Sequence, residues 1–183
     1  LKGSGSQAFC SGGDLSAFHS LHTKEEAYGM LSEMGEILYS LAVIEKPVIA
    51  FLNGKAVGGG CEIAAACDLR VAVPDASFGF IQADQYITTG WGGGSLLQER
   101  IPSGAALDML LSGRIFSSEE GMQNGFLTKV VENEKTFFAW LDQFESKSAD
   151  VLKCYKEMTV NKLRHNGLKE RMDREIRNCS VLW

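Results

Sequence analysis

No stretch of this 183-residue chain approaches the ~18–20 consecutive apolar residues that a bilayer-spanning helix needs. The chain does not open on a secretory leader pattern either. Its five cysteines, Cys10, Cys61, Cys67, Cys154 and Cys179, are odd in number and contain no CxxC pair. That disfavours a metal site and a disulfide framework, and favours a reduced, cytoplasmic compartment. GxGxxG and the P-loop pattern are missing, so neither nucleotide fingerprint has support, and without GxSxG there is no nucleophile elbow. His19, His22 and His165 lack metal-ligand spacing. His19 and His22 stand near a glycine-rich loop, within reach of a ligand there. The plainer reading makes them exposed loop or helix residues. A net charge of -5, with no Lys/Arg-dense face, argues against nucleic acid as a partner. Internal repeats and low-complexity segments are also missing.

What is present fits one soluble globular domain with a sizeable core, at 45% hydrophobic and 22% charged residues. The chain opens inside what reads as a strand-and-loop unit, without an initiator Met, and ends in Val-Leu-Trp. One or both ends are therefore expected to be missing. From Lys24 to about Ser40, Ala27, Met30, Leu31, Met34, Ile37 and Leu38 recur at helical spacing. Pro47 opens a β-rich run to Leu52, small residues predict a helix over 60–67, and Leu69 to Val73 reads as a buried strand ended by Pro74. Ser77 to Gly94 is read as one long loop. Helices are predicted over Ser95–Arg100 and Gly104–Ser112, and Ser117-Ser118-Glu119-Glu120 is a capping pattern for a short helix. Leu127 to Val131 reads as a last short strand, and 134–179 as entirely helical. Strands alternating with helices argue α/β.

The segment Lys46 to Asp68 carries the chemistry. It is an apolar strand, an Asn53-Gly54 turn, the triplet Gly58-Gly59-Gly60, then a small-residue helix. Residues without a Cβ let backbone N–H groups approach a ligand closely. The helix start adds free donors and a positive dipole end, which together suit a developing negative charge. Glu62 stands about one turn into that helix, placed to act as an acid or base. Taken alone, the triplet is a tight turn for strand–helix packing. It does not stand alone, because Cys10-Ser11-Gly12-Gly13-Asp14-Leu15 lies upstream, and Phe78-Gly79 then Gly90-Trp91-Gly92-Gly93-Gly94 lie downstream.

In this order and spacing these segments resemble the enoyl-CoA hydratase/isomerase, or crotonase, superfamily. The resemblance runs on through Leu110-Leu111-Ser112-Gly113-Arg114 and Gly125-Phe126-Leu127-Thr128-Lys129-Val130-Val131. It implies an α/β fold, a spiral of ββα turns over residues 1–133, followed by a helical C-terminal oligomerisation tail over 134–183. It also implies an acyl-CoA thioester as substrate, coenzyme A entering as part of that substrate with no metal or redox cofactor, and a homotrimer or hexamer. The backbone N–H groups of Gly13 and Gly59 match the family's oxyanion hole. Ser11, Gly12 and Asp14 fall on its CoA-cradling loop, although a loop or helix cap is the rival role for Asp14. Tail residues such as Phe138, Leu141, Val151, Tyr155 and Met158 carry more apolar surface than water tolerates, which either intramolecular packing or oligomerisation would cover.

One departure from the family pattern bears on the reaction. Hydratases of the family use two glutamates. The first matches Glu62, and the second falls three residues past Gly79, where this chain has Gln82. An amide cannot gain or lose a proton at neutral pH, but it can position a substrate or a water. Asp84 lies two residues on, with its direction open. Two-acid hydration is thus in doubt, while isomerisation and decarboxylation need only one acid and an oxyanion hole. Trp91 resembles the acyl-CoA decarboxylase members at that position, against the plainer reading of a packing aromatic. A CoA-binding protein without turnover is the remaining reading. The site itself is expected to be a surface-accessible loop that tolerates a side chain at Gly59 without unfolding.

Overall fold

A computed structural model describes residues 1–18 and 21–183, with Leu15 and Ala17 described in their backbone only. His19 lies outside the described residues. Strand β1 (Ala8–Cys10) leads through the short helix α1 (Leu15–Phe18) to the long helix α2 (Lys24–Val43). Strands β2 (Ile49–Leu52) and β3 (Lys55–Val57) flank the Asn53-Gly54 turn, and helix α3 (Gly59–Ala66) follows. Next come β4 (Leu69–Ala72), β5 (Ser77–Gly79), a 3-10 turn over Ile81–Gln85, and helices α4 (Gly93–Arg100) and α5 (Ser103–Ser112). Strand β6 (Phe116–Ser117), helix α6 (Ser118–Gln123) and strand β7 (Lys129–Val130) complete the mixed region. The tail is α7 (Glu134–Glu145), α8 (Ala149–His165) and α9 (Leu168–Leu182).

Strands β1 to β5 alternate between two sheets, β6 then pairs back onto β5, and β7 returns to the other sheet. One has the order β1-β3-β5-β6, the other β2-β4-β7. All neighbours are parallel except β5 and β6. The chain thus gives one strand to each sheet and then a helix, which is the ββα spiral that the sequence resemblance implies, with its helical tail. The tight turn between β2 and β3 makes that switch, and Asn53 pins it. Its buried side chain accepts from the Gly3 N–H at 2.9 Å and donates to the Gly3 and Gly5 carbonyls.

The boundaries follow local chemistry. Thr23 and Glu26 form a reciprocal capping box at the start of α2, as Ser117 and Glu120 do at α6, so each pair satisfies two donors that the first helical turn leaves open. The expected Ser77–Gly94 loop is corrected to strand β5, the 3-10 turn, and the start of α4 two residues earlier than Ser95. A three-residue strand and a 3-10 turn are too short to show periodicity. In the tail, Phe137, Val160, Leu163, Leu168, Met172 and Ile176 are buried within the chain, whereas Phe138, Val151, Tyr155 and Met158 stay exposed. No helix among the described residues is long and apolar enough to cross a membrane.

Candidate active site

A cavity of about 280 Å³ lies where α3, the 3-10 turn and the glycine-rich segment before α4 converge. Ser11, Gly12, Gly13, Gly59, Glu62 and Gln82 all line it. The fold therefore brings together the residues that the resemblance matches to the site, Asp14 excepted. Asp14 stands outside the lining, and its carboxylate accepts from the Ser16 N–H at 2.9 Å and from the Ser16 hydroxyl, as a cap of α1. His22 is exposed and stands outside the lining too. Its backbone N–H donates to Glu26. His165, at the end of α8, is also exposed.

Glu62 occupies the first turn of α3 and is only 2% exposed. Such burial is tolerable for a carboxyl only if its oxygens are hydrogen-bonded. Oε2 accepts from the Trp91 and Gly93 N–H groups, both at 2.8 Å. Oε1 accepts from the Gln82 amide at 3.0 Å and, at 3.3 Å, from the Gly90 N–H. Burial pushes the Glu62 carboxyl up to about 8, and the negative charge of Glu175 adds to the rise, while the three backbone donors oppose it. A group whose proton affinity lies this close to neutral pH carries both of its forms there, the condition for general acid–base work.

Gln82 is corrected from a loop residue to part of the 3-10 turn, which aims its side chain inward. Its Nε2 faces Glu62. The amide oxygen, Oε1, is buried without a hydrogen-bond partner among the described residues. Such an orphaned acceptor costs free energy unless a ligand or water donates to it. Asp84 turns the other way, its carboxylate lying beside Gly113 at the end of α5, and it is absent from the cavity lining.

Gly59 and Gly93 are two positions at the site where the packing leaves no room for a side chain. A Cβ on Gly59 would lie 2.2 Å from the Trp91 ring, and one on Gly93 would lie 2.3 Å from Cγ of Glu62. Trp91 is thus a buried packing aromatic that closes over the start of α3 as well as a lining residue. The surface-accessible loop expected at Gly59 is corrected accordingly: the residue is buried and opens a helix, where its N–H has no acceptor within the helix. Gly59→Val should therefore remove turnover and also destabilise the protein, by about 1–3 kcal/mol for forced overpacking. Activity and thermal melting measured on one preparation check this. A Gly59→Val protein with unchanged melting would refute the close packing.

Glu175, on α9, is the residue that sequence reasoning missed. Its carboxylate accepts from the Gly94 N–H at 2.9 Å, the Ser95 N–H at 2.7 Å, the Ser95 hydroxyl and the Thr89 hydroxyl. The available signal was a carboxylate set beside the apolar positions Leu168, Met172, Ile176 and Cys179 of one helix face.

The enoyl-CoA hydratase/isomerase family model matches residues 1–182. The chain is 37% identical over 133 residues to the short-chain-enoyl-CoA hydratase of Clostridium acetobutylicum, a match covering 72% of this chain and 50% of that protein. It is 32% identical over 181 residues to the ethylmalonyl-CoA decarboxylase of Rattus norvegicus, covering 96% of this chain and 60% of the relative. Among solved structures, an enoyl-CoA hydratase from Thermoplasma volcanium superposes with a TM-score of 0.82 at 30% identity, covering 99% of this chain and 72% of that one. The chain spans about half the length of the curated relatives it matches. With the spiral, the glycine-lined cavity and Glu62 in place, these matches lead to one conclusion: the chain belongs to the enoyl-CoA hydratase/isomerase family.

Proposed function

We propose that this chain processes an acyl-CoA thioester through a thioester enolate. The observation that carries the reading is the single cavity lined by the Gly13 and Gly59 backbones, Glu62 and Gln82. The Gly13 and Gly59 N–H groups would hold the thioester oxygen as charge develops on it, a role worth ~3–4 kcal/mol per donor in enzymes of this kind of chemistry. Ser11 and Gly12 would cradle the coenzyme A portion, with Asp14 holding their loop through its cap. Glu62 would carry the proton to or from the carbon next to the thioester, and Gln82 would position substrate or water through its orphaned oxygen. A homotrimer or hexamer is the assembly that the family resemblance implies, and the odd, unpaired cysteine set favours a reduced compartment such as the cytoplasm. The exposed Val151, Tyr155 and Met158 of α8 are consistent with such assembly.

Within this reading, decarboxylation has specific support in Gln82 and in the decarboxylase relative that matches 96% of the chain. Loss of carbon dioxide leaves the electron pair of the broken C–C bond on the α-carbon and, through it, on the thioester oxygen as an enolate. One proton from Glu62 then completes the product, and Glu62 regains a proton from water. No second acid is needed. A neutral amide beside Glu62 also repels a substrate carboxylate less than a second glutamate would.

A mass-spectrometric product scan over crotonyl-, branched-chain and malonyl-type CoA thioesters tests the proposal. Hydration of crotonyl-CoA should be well below that of a two-glutamate enzyme. Gln82→Glu should raise it by roughly 10²-fold, the lower end of the range for an added general acid or base, because Gln82 already lines the cavity 3.0 Å from Glu62. Vigorous hydration by the unmodified protein would overturn the single-acid reading. A chain that binds the thioesters and changes none of them would leave only the non-catalytic one.

A further inference from the structure

The turn from Thr89 to Ser95 is held between two buried carboxylates from distant parts of the chain. Glu62 of α3 takes the N–H groups of Gly90, Trp91 and Gly93. Glu175 of α9 takes those of Gly94 and Ser95, together with the hydroxyls of Thr89 and Ser95. Five consecutive or near-consecutive donors are thus divided between a core helix and the tail. A helix start offers positive potential to anions, and here it draws two of them to one place. We propose that Glu175 is a positioning residue for the chemistry at Glu62: it locks the turn that cradles the Glu62 carboxyl and sets a second negative charge behind it.

The surroundings leave that charge little competition. The thiols of Cys61 on α3 and Cys179 on α9 are the other titratable groups beside Glu62, and burial holds both well above the ordinary thiol range, so they stay neutral. Arg171 and Arg174 of α9 line, with Glu175, a second cavity of about 410 Å³ on the far side of Gln82. Arg171 is committed to Glu99 of α4, which also pairs with Lys162 of α8. No cation makes an ion pair with Glu62 or Glu175 among the described residues. Two like charges in a medium of low polarity that share a peptide segment titrate as a pair, the first ionisation making the second harder. Both carboxyls are raised, burial being the largest cause in each, and at Glu62 the charge of Glu175 adds to the rise.

The inference rests on the acid–base role proposed for Glu62, but its test does not need turnover. In protein labelled with ¹³C at the glutamate carboxyl carbons, the Glu62 signal, assigned by its loss in Glu62→Gln, should titrate in two steps. In Glu175→Gln it should titrate in one step, with its midpoint lower by ~1 pH unit or more, since removal of a neighbouring like charge favours ionisation. Glu175→Asp keeps the charge and should keep the midpoint near that of the unmodified protein, even if the shorter side chain costs stability. The limb of the pH–rate profile assigned to Glu62, measured with the fastest thioester of the panel above, should move with the midpoint. A purely structural Glu175 would lower stability or kcat and leave both midpoint and limb in place, which overturns the proposal. If Glu175→Gln fails to fold, the unmodified protein decides: two steps support the pairing and one step overturns it. A shifted midpoint in a protein without turnover would keep the coupling and remove the enzymatic reading, and turnover with an unshifted midpoint would do the reverse.

Discussion

Glu62→Gln should lower kcat by about 10²–10⁴-fold, the usual worth of a general acid or base, while acyl-CoA binding stays within a few-fold of the unmodified protein. The asymmetry follows from the geometry. The donors proposed to grip the thioester oxygen are backbone groups of Gly13 and Gly59, which the substitution does not touch. An amide at 62 can still accept from the Trp91 and Gly93 N–H groups through its oxygen, which currently lie at 2.8 Å from Oε2. Its NH₂ would then face the Gln82 amide, whose Nε2 now donates to Oε1, so Gln82 would have to rotate and bring its orphaned oxygen round as acceptor. The cavity should therefore survive with the Gln82 hydrogen bond remade and the long one from the Gly90 N–H, at 3.3 Å, given up, and the main loss should fall on proton transfer. Single-turnover kinetics beside calorimetric titration with acetyl-CoA separate the two effects. Equal turnover in Glu62→Gln would make the buried carboxyl a structural clamp of the glycine turn and nothing more.

The largest effect on stability is expected at Lys156. This tail lysine is 4% exposed and donates to both oxygens of Asp68, at 2.6 and 2.7 Å, and to the Ala42 carbonyl at 2.9 Å. Asp68 also accepts from the Val48 N–H at 2.8 Å and lies 3.6 Å from Arg100, which in turn donates to the Ala65 and Ala66 carbonyls at the end of α3. Breaking a buried pair by removing one partner leaves a charge without compensation and typically costs about 3–5 kcal/mol. Lys156→Ala should accordingly lower Tm by roughly 10 °C for a chain of this size. Lys156→Met, which restores most of the volume, should recover only the packing part of the loss. Chemical denaturation of both variants checks this, and a change under about 1 kcal/mol in Lys156→Ala would show that Arg100 and Val48 suffice for Asp68.

What was legible in the sequence was whatever short-range chemistry encodes. The α2 helix shows in the spacing from Ala27 to Leu38, the α6 helix in its Ser117-to-Glu120 cap, and the family in glycines that must remain glycines because of what they pack against. The constellation of Gly13, Gly59, Glu62 and Gln82 was legible for the same reason: each sits inside a local motif. Illegible were features made by residues far apart. The Trp91 ring closes on Gly59 from 32 positions along, and no spacing rule reports that a helix start is buried. Glu175 reaches the glycine turn across 80 residues or more. The 3-10 turn that aims Gln82 inward and Asp84 outward is too short to carry a period, so the direction of neither side chain could be read before the fold was known.

The tail meets helix α3 near both of its ends. Lys156 grips Asp68, just past the C-terminus, and Glu175 grips the turn that feeds Glu62, near the N-terminus. A chimera that exchanged α8 and α9 for those of a relative would thus transplant two charges that the core depends on, along with a new outer surface. Exchanges meant only to change how copies of the protein assemble would also re-tune the acid at its centre.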